Sequence, residues 1–283
     1  MHQRIATESR TPDANIGILA RADGSGRFGY GSQISLASVT GPVEVRMRDE
    51  LTDMASFQVV VSPLDNVPGI PTKAFAAELQ TVFGAVLLLH RHPRTLIQLV
   101  VQTTSKPMTT TPTVNLSLNT GEVNTSTEQS NKSLRTAHLR GPDIPFLASE
   151  MATSVNASML ALIDAGIPLR ATVTATSCAV LSVDDALRTR NMDPSHKSIC
   201  IVVDPSPEEE QCAISCHVYA FAFSGYDPLN PQQQDHQTQV ELLYCASTGI
   251  SNAKQRNELY NIAREAANEQ FHHLRSVLES KAS

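Results

Sequence analysis

The sequence predicts an α+β domain in which two related β-and-α halves pack together. Three observations carry this reading. Strand and helix patterns follow one another as several strands, helix, strand, helix, several strands, helix; the middle helix is apolar enough to be buried; and a long amphipathic helix closes the chain. At 283 residues, 41% of them hydrophobic, the chain can bury one large core.

Residues 1–13 are polar without periodicity and read as a flexible tail, which leaves 14–279 as the folded domain. Ile16, Ile18 and Leu19 open the first strand, and strand patterns follow at 33–39, 43–48 and 56–61, an antiparallel start. The glycines from Gly24 to Gly31 lack a βα dinucleotide context and read as turns between strands. A helix over about 72–90 follows, with Pro71 at its entrance and Phe75, Leu79, Val82, Val86 and Leu89 on one face. A strand at 95–102 comes next. The stretch 103–145, rich in Thr, Ser, Asn and Pro, reads as a flexible insertion.

The helix over 149–166 carries Met151, Val155, Met159, Leu162 and Ile163 at three- and four-residue steps. Ser149 is placed to cap it, and Gly166 with Pro168 ends it. Strand patterns at 171–181, 198–203, 212–223 and 239–246 make a second β layer. From about 252 to 278, Leu259, Ile262, Ala263, Ala266, Phe271, Leu274 and Leu278 fall at helical steps, which predicts a long packed helix.

Composition narrows the function. A net charge of -6 argues against bulk electrostatic coating of nucleic acid, although Arg21, Arg27, Arg46, Arg48, Lys73, Arg91 and Arg94 gather in the first third. The acidic run Glu208, Glu209 and Glu210 reads as a solvated face. No apolar run approaches the roughly 20 residues of a membrane span. Arg4, Glu8, Arg10 and Asp13 leave no signal-peptide core, so the cytosol or nucleus is expected.

The five cysteines, Cys178, Cys200, Cys212, Cys216 and Cys245, read as reduced core residues, with Cys212 and Cys216 on one face of a strand. His90 with His92, and His272 with His273, read as surface or capping histidines rather than metal ligands. No metal or cofactor is expected. A G-x-S-x-G nucleophile elbow is also missing, so nothing points to a hydrolase.

Four segments in order carry a family likeness. They are Asp23-Gly24-Ser25 with the glycines up to Gly31, Val39-Thr40-Gly41-Pro42-Val43-Glu44, His92-Pro93-Arg94-Thr95, and Asn156-Ala157 through Leu162-Ile163-Asp164-Ala165-Gly166-Ile167-Pro168. With Val203-Asp204-Pro205 and the last helix behind them, they resemble the RNase PH family, and within it the ring subunits of the eukaryotic RNA exosome, over roughly 14–102 and 146–279. The resemblance implies a ribosomal protein S5 domain 2-like fold, two βαβα-type halves packed as one domain, assembled side by side into six-membered rings around an RNA channel. It implies as partners other RNase PH-like exosome subunits, S1/KH-type cap subunits, a separate hydrolytic nuclease, and RNA through the assembled complex. The nucleus, nucleolus and cytoplasm are the implied locations.

Active members of that family cleave RNA from its 3′ end with inorganic phosphate, which demands positive charge and helix-terminal N–H groups. They carry a Gly-Gly-Thr-Arg-Thr-Ala-Ser type motif before the helix; here the stretch is Ala148-Ser149-Glu150-Met151-Ala152-Thr153-Ser154. The likeness places Glu150 at the Thr position and Met151 at the phosphate-binding Arg. A hydroxyl has become an anion and a cation has become neutral. One unit of like charge at about 4 Å, in an effective dielectric near 20, repels by roughly 4 kcal/mol. Residues 211–225 contain no Asp or Glu where active members place an acid, and Ile70 stands near the expected second phosphate Arg, with Lys73 the nearby cation.

The sequence therefore predicts a non-catalytic ring subunit supporting 3′-5′ RNA processing and degradation. The alternatives are an active phosphate-dependent 3′-5′ exoribonuclease and a homo-oligomeric RNA-binding module outside the exosome. Arg46, Arg48, Lys73 and Arg94 are the RNA-binding candidates, each with solvated charge or an intersubunit ion pair as the simpler explanation.

Overall fold

The computed structural model describes residues 8–64, 68–106, 146–182, 186, 199–225 and 239–282. In chain order its elements are β1 (Asp13–Ile16), β2 (Gly24–Tyr30), β3 (Gln33–Glu44), β4 (Ser56–Ser62), α1 (Ile70–Val86), a 3-10 turn (Leu89–Arg91), β5 (Thr95–Ser105) and α2 (Ala148–Asp164). The second half comprises β6 (Thr172–Ser182), β7 (Ile199–Val203), α3 (Pro207–Cys212), β8 (Ser215–Ser224), β9 (Gln239–Gly249) and α4 (Ala253–Ala282). One sheet runs β1-β2-β3-β5-β4 and the other β7-β6-β8-β9. Among the described residues, β4 and β5 alone pair in parallel; the remaining strand pairs are antiparallel.

Period-two alternation shows where the helices sit. On β3, Gln33, Ser35, Ala37 and Val39 are buried, and Ser35 Oγ meets Thr153 and Ser154 of α2 at 3.0 and 3.2 Å. Val101 and Leu99 lie opposite Ala37 and Val39, and Val59 and Val61 lie beside Leu99 and Val101. Phe57, Ile97, Leu99 and Val101 join Phe75, Leu79 and Phe83 of α1 in one core. Both α1 and α2 therefore cover the same face of the first sheet. On β8, Val218 and Ala220 belong to that core, whereas Tyr219, Phe221 and Phe223 pack with Leu259, Ala263 and Ala267 of α4. The second sheet is thus covered by α2 on one face and α4 on the other, which explains why its strands read as near-continuous apolar runs.

The position of α2 between two sheets explains a pattern the helical periodicity understates. Val155, Met159 and Leu162 are buried, but so are Ser149, Thr153, Ser154, Asn156 and Ser158 on its other faces. Small residues let both sheets approach. Apart from the Ser149 hydroxyl, their polar atoms find partners: Ser158 Oγ donates to Ser154 O at 2.7 Å, and Asn156 both accepts from Ala175 N and donates to Ala175 O.

Several local expectations differ from the structure. The glycine-rich stretch is the strand β2 rather than a series of turns. A Cβ on Gly26 would lie 2.5 Å from Ala157 O, and one on Gly24 would lie 2.4 Å from Ala161 O. These glycines let α2 rest directly on the strand. The strand expected at 33–39 continues through 44 as one strand, β3, whose register shifts between Thr40 and Val43, where Gly41 has φ +138, while residues 45–48 of the second expected strand lie in the following loop. Ile18 and Leu19 lie beyond β1 and are exposed. Cys212 ends α3 while Cys216 lies on β8, so the two share no strand.

Of the expected tail, residues 1–7 lie outside the described residues, while Arg10 is bound within the fold. Of the expected insertion, Thr103 to Ser105 continue β5, and 107–145 lie outside the described residues.

Candidate functional site at the start of the central helix

The first turn of α2 has no side-chain cap of its own. Leu147 is the N-cap residue and Ser149 lies inside the helix, which corrects its expected capping role. The Ser149 N–H instead donates to Glu210 Oε1 at 2.7 Å, a carboxylate brought from just before β8. Local sequence positions Glu210. Ser206 accepts from the Glu209 N–H at 3.3 Å while Glu209 accepts from the Ser206 N–H at 2.7 Å, a capping box that starts α3 at Pro207. The next residue, Glu210, then turns inward. The acidic run expected on a solvated face is therefore largely interior: Glu209 and Glu210 are 3% and 7% exposed.

Glu150 is buried beside it at 1% exposure. Its Oε1 accepts from Thr103 Oγ at 2.7 Å and pairs with Lys106 Nζ at 2.7 Å. Lys106 also lies 5.9 Å from the Phe146 ring centroid, and Phe146 packs against Phe75 of α1. A third carboxylate, Asp204, directly follows β7 and is held by Arg10 through bonds of 2.6 and 2.7 Å. Arg10 lies over the Tyr30 ring.

Two buried carboxylates, Glu150 and Glu210, thus meet at the start of α2, and the charge of Asp204 reaches Glu210. Glu150 and Asp204 each have a cationic partner, Lys106 and Arg10. Glu210 has the helix amide, and its Oε2 makes no hydrogen bond among the described residues. Burial pushes the Glu210 carboxyl up to about 7; the Ser149 amide opposes the rise, and the charges of Asp204 and Glu150 add to it.

Met151 is half-buried and packs against the main core, as a core methionine would. Ile70 is 78% exposed at the start of α1, and β8 carries Ser215 and Cys216 where the family likeness places an acid. Neither cation near Glu150 and Asp204 was singled out from sequence. Lys106 lay within the expected insertion and Arg10 within the expected tail. The Ser206–Glu209 capping spacing was the readable signal for the turn that carries Glu210.

The RNA-binding candidates fall into two places. Arg46 and Arg48 lie in the β3–β4 loop, and Arg94 joins them: its N–H donates to Leu51 O at 3.1 Å and its Nε lies 3.4 Å from Glu50. Arg48 lies 3.4 Å from Asp49. Lys73 is exposed on the first turn of α1, which begins beyond the far end of β4. The length of β4, about 20 Å at roughly 3.3 Å per residue, separates the two ends of the sheet. Lys73 therefore stands at the same end as the start of α2, and the three arginines stand at the other.

A family model described as the 3′ exoribonuclease family, domain 1, RNase PH, matches residues 8–168, which span β1 through α2. The chain belongs to the RNase PH family. Among curated relatives, the exosome complex component RRP46 of Saccharomyces cerevisiae is 25% identical over 270 residues, covering 95% of this chain and 96% of the relative. The Schizosaccharomyces pombe component rrp46 is 28% identical over 163 residues, covering 58% of this chain and 55% of that protein. The crystal structure of rice (Oryza sativa) Rrp46 superposes with a TM-score of 0.68 over 98% of both chains at 19% identity. Both sheets and the helix between them are thus the RNase PH fold.

Proposed function

We propose that this RNase PH family member is a non-catalytic ring subunit of the eukaryotic RNA exosome, supporting 3′-5′ RNA processing and degradation by completing the ring and lining part of the RNA path. The observation that carries it is the buried Glu150 carboxylate at the first turn of α2, paired with Lys106 and followed by Met151. Phosphorolysis has to bring a phosphate dianion to an anionic RNA backbone. A buried carboxylate and a thioether at that turn oppose the first charge and leave the second unbalanced. End-to-end similarity to the yeast component named RRP46 supports membership of the complex.

The proposed partners are other RNase PH-like subunits, S1/KH-type cap subunits and a separate hydrolytic nuclease, in the nucleus, nucleolus and cytoplasm. One rice relative, 23% identical over 233 residues, is named an exosome complex exonuclease RRP46 homolog, so an active exoribonuclease is the reading that must be set against this one.

The deciding assay incubates the purified chain with RNA, phosphate and Mg²⁺, alone and with RNase PH-like partners, and measures nucleoside diphosphate release against a phosphate-free control. The expected outcome is no release by the chain alone and stable co-elution with a different RNase PH-like chain. Release by the chain alone would establish the enzyme reading; RNA binding by an isolated homo-oligomer would establish an independent RNA-binding module.

A further inference from the structure

Among the described residues, every sheet face but one has a helix packed on it. α1 and α2 lie on one face of the first sheet, and α2 and α4 take the two faces of the second. The open face is the outer one of β3, β5 and β4, and its side chains are unlike those the chain shows to water elsewhere. None of the outward positions along 34–40, 96–104 and 58–62 is charged. The solvent side of α4, by contrast, carries charge along its length, as Lys254, Glu258, Glu265 and Arg275 show. The strand registers set these uncharged side chains in rows. Val60 lies beside Val100 at the centre, Gln58 beside Gln98 in the next row, and Leu36 beside Gln102 in the row on the other side.

The adjoining edge is equally bare. β4 closes the sheet, pairs only with β5 among the described residues, and reads Ser-Phe-Gln-Val-Val-Val-Ser, with Val60 43% exposed. Edges that face water are ordinarily blunted by charge, proline or a bulge, and β4 contains none of these. At about 4.8 Å between strands and roughly 3.3 Å per residue, the three strands offer roughly 300 Å² of uncharged sheet. That is the size of a charge-poor core within the ~800 Å² each partner gives to a standard interface. Arg27 and Asp13, paired at 3.0 Å on β2 and β1, stand beside it as a charged rim. A phosphate backbone finds no cation on such a surface. It suits an equally uncharged protein face.

We propose that the outer face of the first sheet is where a neighbouring RNase PH-like chain docks, seating an uncharged surface of its own over Val60 and Val100. The proposal rests on the ring-subunit reading above and assigns one of the ring's contacts to a particular face.

The full chain is mixed with purified RNase PH-like subunits, resolved by size-exclusion chromatography, and the pair that co-elutes is titrated by calorimetry. V60E/V100E puts two carboxylates at the centre of the docked face, where association would bury them without a partner. It is expected to weaken association at least about tenfold. V60T/V100T keeps the shape and stays uncharged, so it should lose far less. Undiminished association of folded V60E/V100E would overturn the proposal and leave the ring-subunit reading standing. Failure of the unsubstituted chain to associate with any RNase PH-like subunit would instead remove the ring-subunit reading itself. Self-association that V60E/V100E abolishes would give the face to a second copy and overturn the partner proposed. If circular dichroism shows that V60E/V100E does not fold, Gln98→Glu replaces it, because that outward position is already polar. A smaller loss is then expected, and no loss would be equally decisive against the proposal.

Discussion

Glu210 and His217 are buried ionisable groups whose effects on stability run in opposite directions with pH. Burial raises the Glu210 carboxyl from 4.5 to about 7, so the folded chain holds a proton that the unfolded chain has released. Its contribution is full below about 4.5 and is lost as pH rises toward 7, a change of about 3 kcal/mol at roughly 1.4 kcal/mol per unit. Burial, with the charge of Arg256, holds the His217 imidazole below 6.5, so its contribution is present above 6.5 and declines as pH falls. Denaturant titrations from pH 5 to 8 should therefore show E210Q losing less stability than the unsubstituted chain as pH rises through this range. An unchanged slope would place Glu210 in solvent. Arg10 is a second residue to test, because Asp204 is 2% exposed and would be left without its guanidinium in Arg10→Met. The expected loss is about 2–4 kcal/mol, at the lower side of the range for a broken buried pair because Arg10 keeps some solvent contact. Adding Asp204→Asn should recover part of it. Glu150 and Met151 were legible from sequence because a family motif sets their positions, whereas Arg10 and Lys106 became partners only through contacts with distant elements.

At the scale of elements, α2 is held by close approach rather than by large side chains. Gly26→Ala would put a methyl group within 2.7 Å of the Ala157 carbonyl, the Leu160 Cβ and the Ala161 amide. Backbone on two sides cannot yield cheaply, so a loss of at least about 1–3 kcal/mol is expected from overpacking, measured as a fall in the denaturation midpoint. A null effect would mean that β2 and α2 can separate. The same close approach explains why β2 was hidden in the sequence. Its glycines carry no strand propensity, and their reason for being there is a helix more than 120 residues further on. The helices α1, α2 and α4 were readable because their apolar steps recur over 17 or more residues. Gly41-Pro42 reads locally as a turn and divides β3 in the sequence, although the ladder resumes at Val43 with a shifted register. Strand order and the placement of both α1 and α2 on one face depend on long-range pairing, and no local pattern encodes it.

For the whole molecule, the two ends of the first sheet present different electrostatics, which bears on where RNA would pass. Arg46, Arg48 and Arg94 meet at one end, but Asp49 and Glu50 stand within 3.4 Å of two of them. Such exposed pairs are weak, and a phosphate can compete for the guanidinium groups. Lys73 stands at the opposite end, so the four positions cannot serve one compact phosphate contact. If the three arginines face the RNA path of the assembled ring, replacing all three with Gln should weaken binding with little dependence on sequence. It should also lower the salt slope of log K by up to about 2, near 0.7 per phosphate contact for a single strand. Lys73→Gln should then act separately, its effect adding to that of the triple change because the sites share no partners. The measurement is RNA affinity of the reconstituted complex across a salt series. An unchanged slope in the triple variant would assign the arginines to ion pairs or subunit contacts and move the RNA path to another surface. A loss confined to Lys73→Gln would place that path at the end where α1 and α2 begin, beside the buried carboxylates Glu150 and Glu210.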